Sequence, residues 1–136
     1  MTPVLGPAPR PCESCPYRRD VPSGVWAPEE YAKLPRYDEE TMHQPAGVFL
    51  CHQQNGRVCA GWCGTHDMTQ SLGLRFAAHQ MAREDVTACL DYVSPVPLFR
   101  SGTEAAAHGL AELERPGAGA QRVMAKIERR RGGAPT

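Results

Sequence analysis

The sequence has few large aliphatic side chains and no net charge. Nine Leu, nine Val, three Phe and one Ile make only 22 of the 136 residues, whereas Gly and Pro together supply 26. A chain of this composition buries a small core, and small cores are commonly supplemented by disulfides or by a structural metal. Lys and Arg balance Asp and Glu at 15 each, which argues against a dedicated nucleic-acid binder.

Long apolar runs are also missing. Four prolines interrupt the first 11 residues, so this segment lacks the apolar stretch of about 7–15 residues that a secretory signal needs. No other segment approaches the length of a membrane span. We therefore expect a cytoplasmic protein without membrane contact, where clustered cysteines indicate metal binding or catalysis more often than disulfides.

The pattern along the chain predicts a mostly α fold with one small β-hairpin, an α+β arrangement. Helices are expected over 26–35, 66–83, 85–93 and 101–114 and around 120–127, and the hairpin over 48–60. Asp85 is a possible N-cap, and Ser101 with Glu104 matches a capping box. We divide the chain into a flexible tail (1–11), a cysteine-rich metal-binding domain (12–100), a C-terminal helical pair (101–131) and a second tail (132–136). In this scheme a metal holds the irregular N-terminal half, and short helices follow it.

The sequence contains six cysteines, and four of these cysteines have the spacing of a metal site. Cys12 and Cys15 form a C-x2-C pair, which can point two sulfurs at one ion from a tight turn. Cys51 and Cys59 lie on the two arms of the predicted hairpin. We predict that these four cysteines share one metal.

The register of the hairpin decides the fourth ligand. A two-residue loop at Asn55-Gly56 places His52 opposite Cys59, whereas a three-residue loop with Gly56 in the left-handed conformation places Cys51 there. A change of one residue therefore exchanges four thiolates for three thiolates and an imidazole. We favour Cys51, because a thiolate set binds the expected metals more tightly.

The remaining cysteines have other interpretations. Cys63 and His66 are spare ligands, and they are also the pair that a thiol-dependent enzyme would use. Cys89 falls on the apolar stripe of its own helix and is expected to pack in the core. No phosphate-binding glycine loop, nucleophile elbow or HExxH motif is present, so an enzyme is the less favoured class.

The metal itself stays open between Zn²⁺ and a [4Fe–4S] cluster. Zinc sites usually take both ligand pairs at short spacing, and seven residues separate Cys51 from Cys59. Iron–sulfur sites tolerate irregular spacing, and aromatic residues such as Trp26 and Trp62 could shield a cluster. Zinc is favoured on its frequency as a structural metal.

Short motifs between residues 11 and 80 carry a resemblance to known families. They are Pro11-Cys-Glu-Ser-Cys-Pro-Tyr-Arg-Arg-Asp20, Gly24-Val-Trp26, Gln44-Pro45, Cys51-His-Gln53 and Cys59-Ala-Gly-Trp62. They resemble a family of small, functionally uncharacterised cysteine proteins of actinobacteria and their phages, which implies no activity but matches the same four cysteines. Cys12, Cys15, Pro16, Arg18 and Gly24-Val25-Trp26 are similar, more weakly, to the WhiB-like iron–sulfur regulators.

The C-terminal end is basic. Glu128 is the only acidic residue among residues 115–136, and such a strip can neutralise phosphates. We predict a metal-binding module with a structural four-cysteine site and an unidentified protein or nucleic-acid partner. A redox-sensing regulator with a [4Fe–4S] cluster is the alternative. The candidate nucleic-acid contacts are Arg122, Lys126, Arg129, Arg130 and Arg131.

Overall fold

A computed structural model describes residues 4–51, 53–54 and 56–130, and for Arg130 it describes the backbone only. Four 3-10 turns lie at Leu34–Asp38, Thr41–His43, Met68–Gln70 and Ala78–Gln80. The mostly α prediction is confirmed. The helices are α1 (Pro28–Ala32), α2 (Ala60–Thr65), α3 (Leu72–Ala77), α4 (Arg83–Leu90), α5 (Gly102–Leu110) and α6 (Ala118–Arg130).

The predicted β-hairpin over 48–60 is wrong. The described part of this segment contains no strand, and only an isolated bridge joins Leu50 to Val58. The backbone beside this bridge also pairs with the N-terminal segment, because the Leu5 amide donates to the Gly56 carbonyl at 2.7 Å and the Val58 amide donates to the Leu5 carbonyl at 2.9 Å. The described residues therefore form isolated bridges where the sequence suggested paired strands.

The bridge between Leu50 and Val58 still determines which side chains lie on the same face of the two paired segments. Pairing of Leu50 with Val58 sets Cys51 against Arg57 and Phe49 against Cys59, and their backbones are joined by hydrogen bonds of 2.9 and 2.8 Å. The observed pairing matches neither of the two predicted registers, because the turn is two residues longer than the predicted three-residue loop. A shift of two residues preserves the face on which a side chain lies, so Cys51 and Cys59 remain on one side.

One of the two N-caps predicted from the sequence is present in the structure. Ser101 caps α5 by accepting the amide of Glu104 at 3.0 Å, as the capping box predicts, although α5 ends at Leu110. Asp85 does not cap α4, which begins after Ala82. Its carboxylate instead accepts the amide of Gly6 at 2.9 Å and so anchors the N-terminal segment.

The predicted helix over 66–83 is broken into three short pieces. Ser71 accepts the amide of Leu74 and starts a new helix in the middle of the predicted one. This new helix packs closely against the segment before it, since a Cβ on Gly73 would lie 2.6 Å from the carbonyl oxygen of Gly47. Phe76 of α3 has 58% of its surface exposed.

The core lies around the cysteine-rich segments and the first residues of α2. Tyr17, Val58 and Trp62 are almost fully buried there. α5 packs against α1 so closely that a Cβ on Gly109 would overlap the ring of Tyr31. Ala120 of α6 is also buried. Within the described residues, no helix combines the length and the apolar character needed to cross a bilayer.

Candidate metal centre

Side-chain contacts connect all four predicted ligand cysteines. The thiol of Cys12 has those of Cys15 and Cys51 as hydrogen-bond partners. The sulfur of Cys15 lies 3.8 Å from the sulfur of Cys59. Cys15 and Cys59 are buried, whereas Cys12 and Cys51 are partly exposed. The fold therefore brings together two segments that are separated by about 40 residues of sequence and orders the thiols as Cys51, Cys12, Cys15 and Cys59.

Backbone amides point at two of these sulfur atoms. The N–H of Tyr17 donates to Cys15, and the N–H groups of Gln53 and Gln54 donate to Cys51. Each donor lies two or three residues after its cysteine, which is the arrangement of a tight turn wrapped around a sulfur. Such donors lower the pKa of a thiol, so they favour the thiolate that a metal requires.

A second layer of hydrogen bonds holds the turn that carries Cys12 and Cys15. The Trp26 indole N–H donates to the carbonyl oxygen of Ser14 at 2.8 Å, and the side-chain amide of Gln53 donates to the Ser14 hydroxyl. That hydroxyl lies 3.9 Å from the sulfur of Cys12. Ser14 is fully buried, so these contacts link the first cysteine pair to the loop after Cys51.

Positive charge lies next to the cluster. The Arg18 guanidinium donates to the carbonyl oxygens of Pro11 and Cys12 at 3.1 and 3.4 Å, and its side chain is only 13% exposed. Asp20 binds the other edge of the guanidinium at 2.7 Å. A fixed cation beside Cys12 and Cys15 would partly offset the negative charge of their thiolates.

Helix α2 packs closely against Cys15 and Tyr17. A Cβ on Gly61 of α2 would lie 2.4 Å from the Cys15 sulfur and 2.8 Å from the Cβ of Tyr17. The Tyr17 ring contacts the rings of Phe49 and His66 edge-on. Its hydroxyl is buried and has no hydrogen-bond partner among the described residues.

The pKa values of three of the four thiols are raised in this arrangement. The neighbouring thiol of Cys15 and burial raise the pKa of Cys12 to about 11, despite donors that lower it. The pKa of Cys51 is raised by the thiol of Cys12 and by burial, and burial raises that of Cys15. Among the residues that the structure describes, no three Cys, His, Asp or Glu side chains converge into a ready metal site. A metal ion would therefore have to draw the four thiols closer together.

The alternative ligands lie elsewhere or outside the described residues. His52 belongs to the latter group. Both ring nitrogens of His66 form hydrogen bonds. Nε2 pairs with the carboxylate of Asp38 at 2.9 Å, and Nδ1 pairs with the Trp62 carbonyl at 3.0 Å. Cys63 contacts the thiol of Cys89. Among the described residues, no hydrogen bond joins Cys63 to His66.

The basic residues of α6 form an exposed strip beside the first cysteine pair. Arg122 and Arg129 are exposed, and Lys126 lies 3.0 Å from the carboxylate of Glu13, which separates Cys12 from Cys15 in the sequence. The opposite face of α6 buries Ile127. Arg131 and the side chain of Arg130 lie outside the described residues.

Comparison with known proteins identifies the family. The model of DUF6283, described as a family of unknown function, matches residues 7–131. The chain belongs to DUF6283. The expected resemblance to an uncharacterised family is therefore confirmed, and it extends well beyond residues 11–80. No curated protein and no solved structure matches the chain.

Several contacts of this DUF6283 cluster were not predicted from the sequence. Ser14 and Gln53 had a signal, since each lies within a cysteine motif, and Gly61 follows Cys59 by two residues. Asp38 had none. Its carboxylate accepts the amides of two α5 residues at 2.8 and 2.7 Å and binds His66, which depends on a tertiary contact.

Proposed function

We propose that this protein binds one Zn²⁺ ion through Cys12, Cys15, Cys51 and Cys59. The observation that carries the proposal is the contact series of the four thiols, together with the 3.8 Å between the sulfurs of Cys15 and Cys59. Zinc binds thiolate sulfur at about 2.3 Å in tetrahedral geometry, so two sulfurs on one ion lie about 3.8 Å apart. The Cys15–Cys59 pair already has this spacing.

The same distance favours zinc over a [4Fe–4S] cluster. In such a cluster each cysteine binds a different iron, and the cluster's own iron and sulfide atoms lie between the cysteine sulfurs. The four sulfurs must then stand farther apart than they do around a single ion. A buried pair at 3.8 Å fits one ion without movement, whereas a cluster would have to push α2 away from Cys15.

The donor groups around the cluster support the same proposal. Neutral thiols are weak acceptors, yet Cys15 and Cys51 receive backbone amides and Cys12 lies beside a buried serine hydroxyl. Buried hydroxyl groups nearly always have a partner, and anionic sulfurs beside Tyr17 would supply the negative charge towards which its O–H can orient. The donor set therefore fits thiolates better than thiols.

A site of this kind is structural. Four protein ligands close the coordination of zinc and leave no position for substrate, so we expect no metal-centred hydrolysis. Zinc would tie the N-terminal turn to the loop after Cys51 and to the start of α2, in the part of the chain where large aliphatic side chains are few. The protein is then a metal-stabilised binding or regulatory module.

Titration of the reduced, metal-free full chain with Co²⁺ and then Zn²⁺ tests the proposal. Tetrahedral cobalt thiolate absorbs strongly, so we expect the absorbance to saturate at one Co²⁺ per chain and to disappear when Zn²⁺ replaces it. Cys12→Ser should lose this signal, and Cys89→Ser, a buried cysteine outside the cluster, should keep it. Failure of the parent chain to bind either ion, or equal loss in both variants, would overturn the proposal.

The exposed strip of α6 supports a second candidate function, which is binding of a nucleic-acid backbone. Arg122, Lys126 and Arg129 present positive charge on one side of a helix whose other side is packed. Contacts between such side chains and phosphates release counterions, so binding of this kind weakens as salt increases. The weak similarity to WhiB-like regulators is compatible with this candidate, and it stays a prediction.

Fluorescence anisotropy with labelled DNA and RNA at low and high salt tests the second candidate. Arg122→Ala combined with Arg129→Ala should weaken binding and reduce its dependence on salt. Arg83→Ala removes an exposed charge from α4 and should change neither. Absence of binding by the parent chain at low salt would reject a nucleic-acid partner and leave a protein partner.

A further inference from the structure

The two cysteines outside the four-thiol cluster form a second thiol pair. Cys63 lies on α2 and Cys89 near the end of α4, and these two helices pack together. Both are free thiols and almost fully buried, at 3% and 0% exposure, and each is a hydrogen-bond partner of the other. The sequence predicted a core position for Cys89 alone, but it gave no sign of this contact between residues far apart in the chain.

The surroundings of this pair do not suit a metal. A structural zinc site needs four ligands, and within the described residues no third Cys, His or acidic side chain joins these two sulfurs in a metal-binding group. Tyr92 and Leu98 pack against the same turn of α2 at Gly64. Asp85, one turn before Cys89 on α4, also disfavours a cluster of thiolates there. Two isolated thiols in contact have a different chemistry, which is disulfide formation.

We propose that Cys63 and Cys89 form a disulfide when the protein meets a hydroperoxide such as hydrogen peroxide. The two buried thiols are neighbours across the packed helices α2 and α4, so a sulfenic acid formed on either sulfur has the other thiol beside it.

The reaction balances with one peroxide molecule. One of the two sulfurs attacks a peroxide oxygen, the O–O bond breaks, and the products are a sulfenic acid and one water. The other sulfur then attacks the sulfenic sulfur, the S–O bond breaks, and a second water leaves. The two thiols lose two electrons and two protons, and the peroxide takes up both. Hydrogen peroxide is small and uncharged, so local opening of α4, a helix of eight residues, is enough to admit it.

The disulfide would also affect the proposed zinc site, and this consequence rests on the proposed function. Closing the bond requires the two sulfurs to approach to about 2 Å, which draws α2 towards α4. α2 begins directly after Cys59, and the Cys63 amide donates to the Cys59 carbonyl at 3.1 Å. A displacement of α2 therefore reaches a zinc ligand within one helical turn. We expect zinc transfer to a chelator to become about tenfold faster after oxidation.

Peroxide treatment of the zinc-loaded full chain, followed by alkylation in denaturant and tryptic mapping, tests the disulfide. Cleavage after Arg57 and Arg75 leaves Cys59 and Cys63 on one peptide, so fragment ions must assign the link. We expect Cys63 linked to Cys89 while Cys59 carries the alkylating group. Cys63→Ser and Cys89→Ser should each lose the link and leave a sulfenic acid on the remaining thiol of the pair, which dimedone traps.

The outcomes separate this proposal from the zinc site. A link confined to Cys12, Cys15, Cys51 and Cys59, or no link in peroxide-treated protein, would overturn the disulfide even if zinc binds. A link between Cys63 and Cys89 in a chain that binds no zinc would support the disulfide and reject the zinc site. Equal rates of zinc transfer before and after oxidation would reject the coupling between the two.

Discussion

Replacement of Gly61 by alanine tests whether the packing around Cys15 holds the thiol cluster. Gly61 lies inside α2, where alanine is intrinsically favoured over glycine by about 1 kcal/mol. The added methyl carbon, however, would lie 2.4 Å from the Cys15 sulfur and 2.8 Å from the Tyr17 Cβ. Ordinary contacts of this kind lie at about 3.5–4.0 Å, so the sulfur or the helix must move by about 1 Å.

A movement of this size makes Gly61→Ala destabilising, although alanine has the higher helix propensity. Ligand distances in metal sites vary by only about 0.2 Å, so a 1 Å displacement takes Cys15 out of position. Overpacking a tight core costs about 1–3 kcal/mol, which exceeds the gain in helix propensity. We expect Gly61→Ala to lower the free energy of unfolding by about 1–2 kcal/mol and the zinc affinity by at least about tenfold.

Urea unfolding followed by tryptophan fluorescence, and competition with a chromophoric chelator, measure the two quantities. Gly47→Ala is the matched control, because its new Cβ would meet nothing within 4 Å and its backbone has no positive φ. The control should stay within about 1 kcal/mol of the parent chain. If Gly61→Ala matches the control in both stability and zinc affinity, the reasoning from the Cys15 contact is wrong.

Three further measurements follow from the same contacts. Removal of zinc with a chelator should lower the apparent free energy of unfolding by about 2.7 kcal/mol when zinc had been present at a hundred times its dissociation constant, and equal denaturation midpoints would contradict a structural metal. In the metal-free protein the pKa of Cys12 is about 11 against an ordinary 9.0, so this thiol contributes stability that is present below pH 9 and is lost as the pH rises towards 11. Thermal melts should show this loss only without zinc, and the same loss in both forms would contradict thiolate ligation. Asp38→Asn should cost about 1–2 kcal/mol at neutral pH, since the carboxylate binds the first amides of α5. Burial raises the pKa of Asp38, but the donors of Thr103, Gly102 and His66 outweigh burial and hold it below its usual 3.8, so the stability difference should shrink as the pH falls through the folded-state value. Melting temperatures of both chains across the acidic range measure this, and a difference independent of pH would refute it.

Local signals in the sequence predicted the parts of the fold that depend on neighbouring residues. The Ser101 cap of α5 was found because its acceptor and donor lie three residues apart. The C-x2-C spacing of Cys12 and Cys15 predicted that these two thiols lie together for the same reason, because only neighbouring residues are involved. The gathering of Cys51 and Cys59 with this pair agrees with the prediction that they lie together, although that prediction used a hairpin that does not form.

The errors arise where distant contacts override local preference. Periodicity suggested one helix over 66–83, but Ser71 caps a new helix inside this range, and Gly73 of that helix lies against the backbone of Gly47. The turn signal at Gly56 was real, since its φ is 81°, yet only an isolated bridge between Leu50 and Val58 forms across the turn. The contact between Cys63 and Cys89 depends on how α2 and α4 pack, and no spacing in the sequence indicates it.

The metal content of the full chain, purified without oxygen and without added metal, tests the central claim most directly. Elemental analysis and acid-labile sulfide, read together with the visible spectrum, distinguish the candidate groups. Binding of zinc by Cys12, Cys15, Cys51 and Cys59 predicts one zinc per chain, no sulfide and a colourless protein. A brown protein with iron and sulfide, or a folded protein with no metal, would contradict the account.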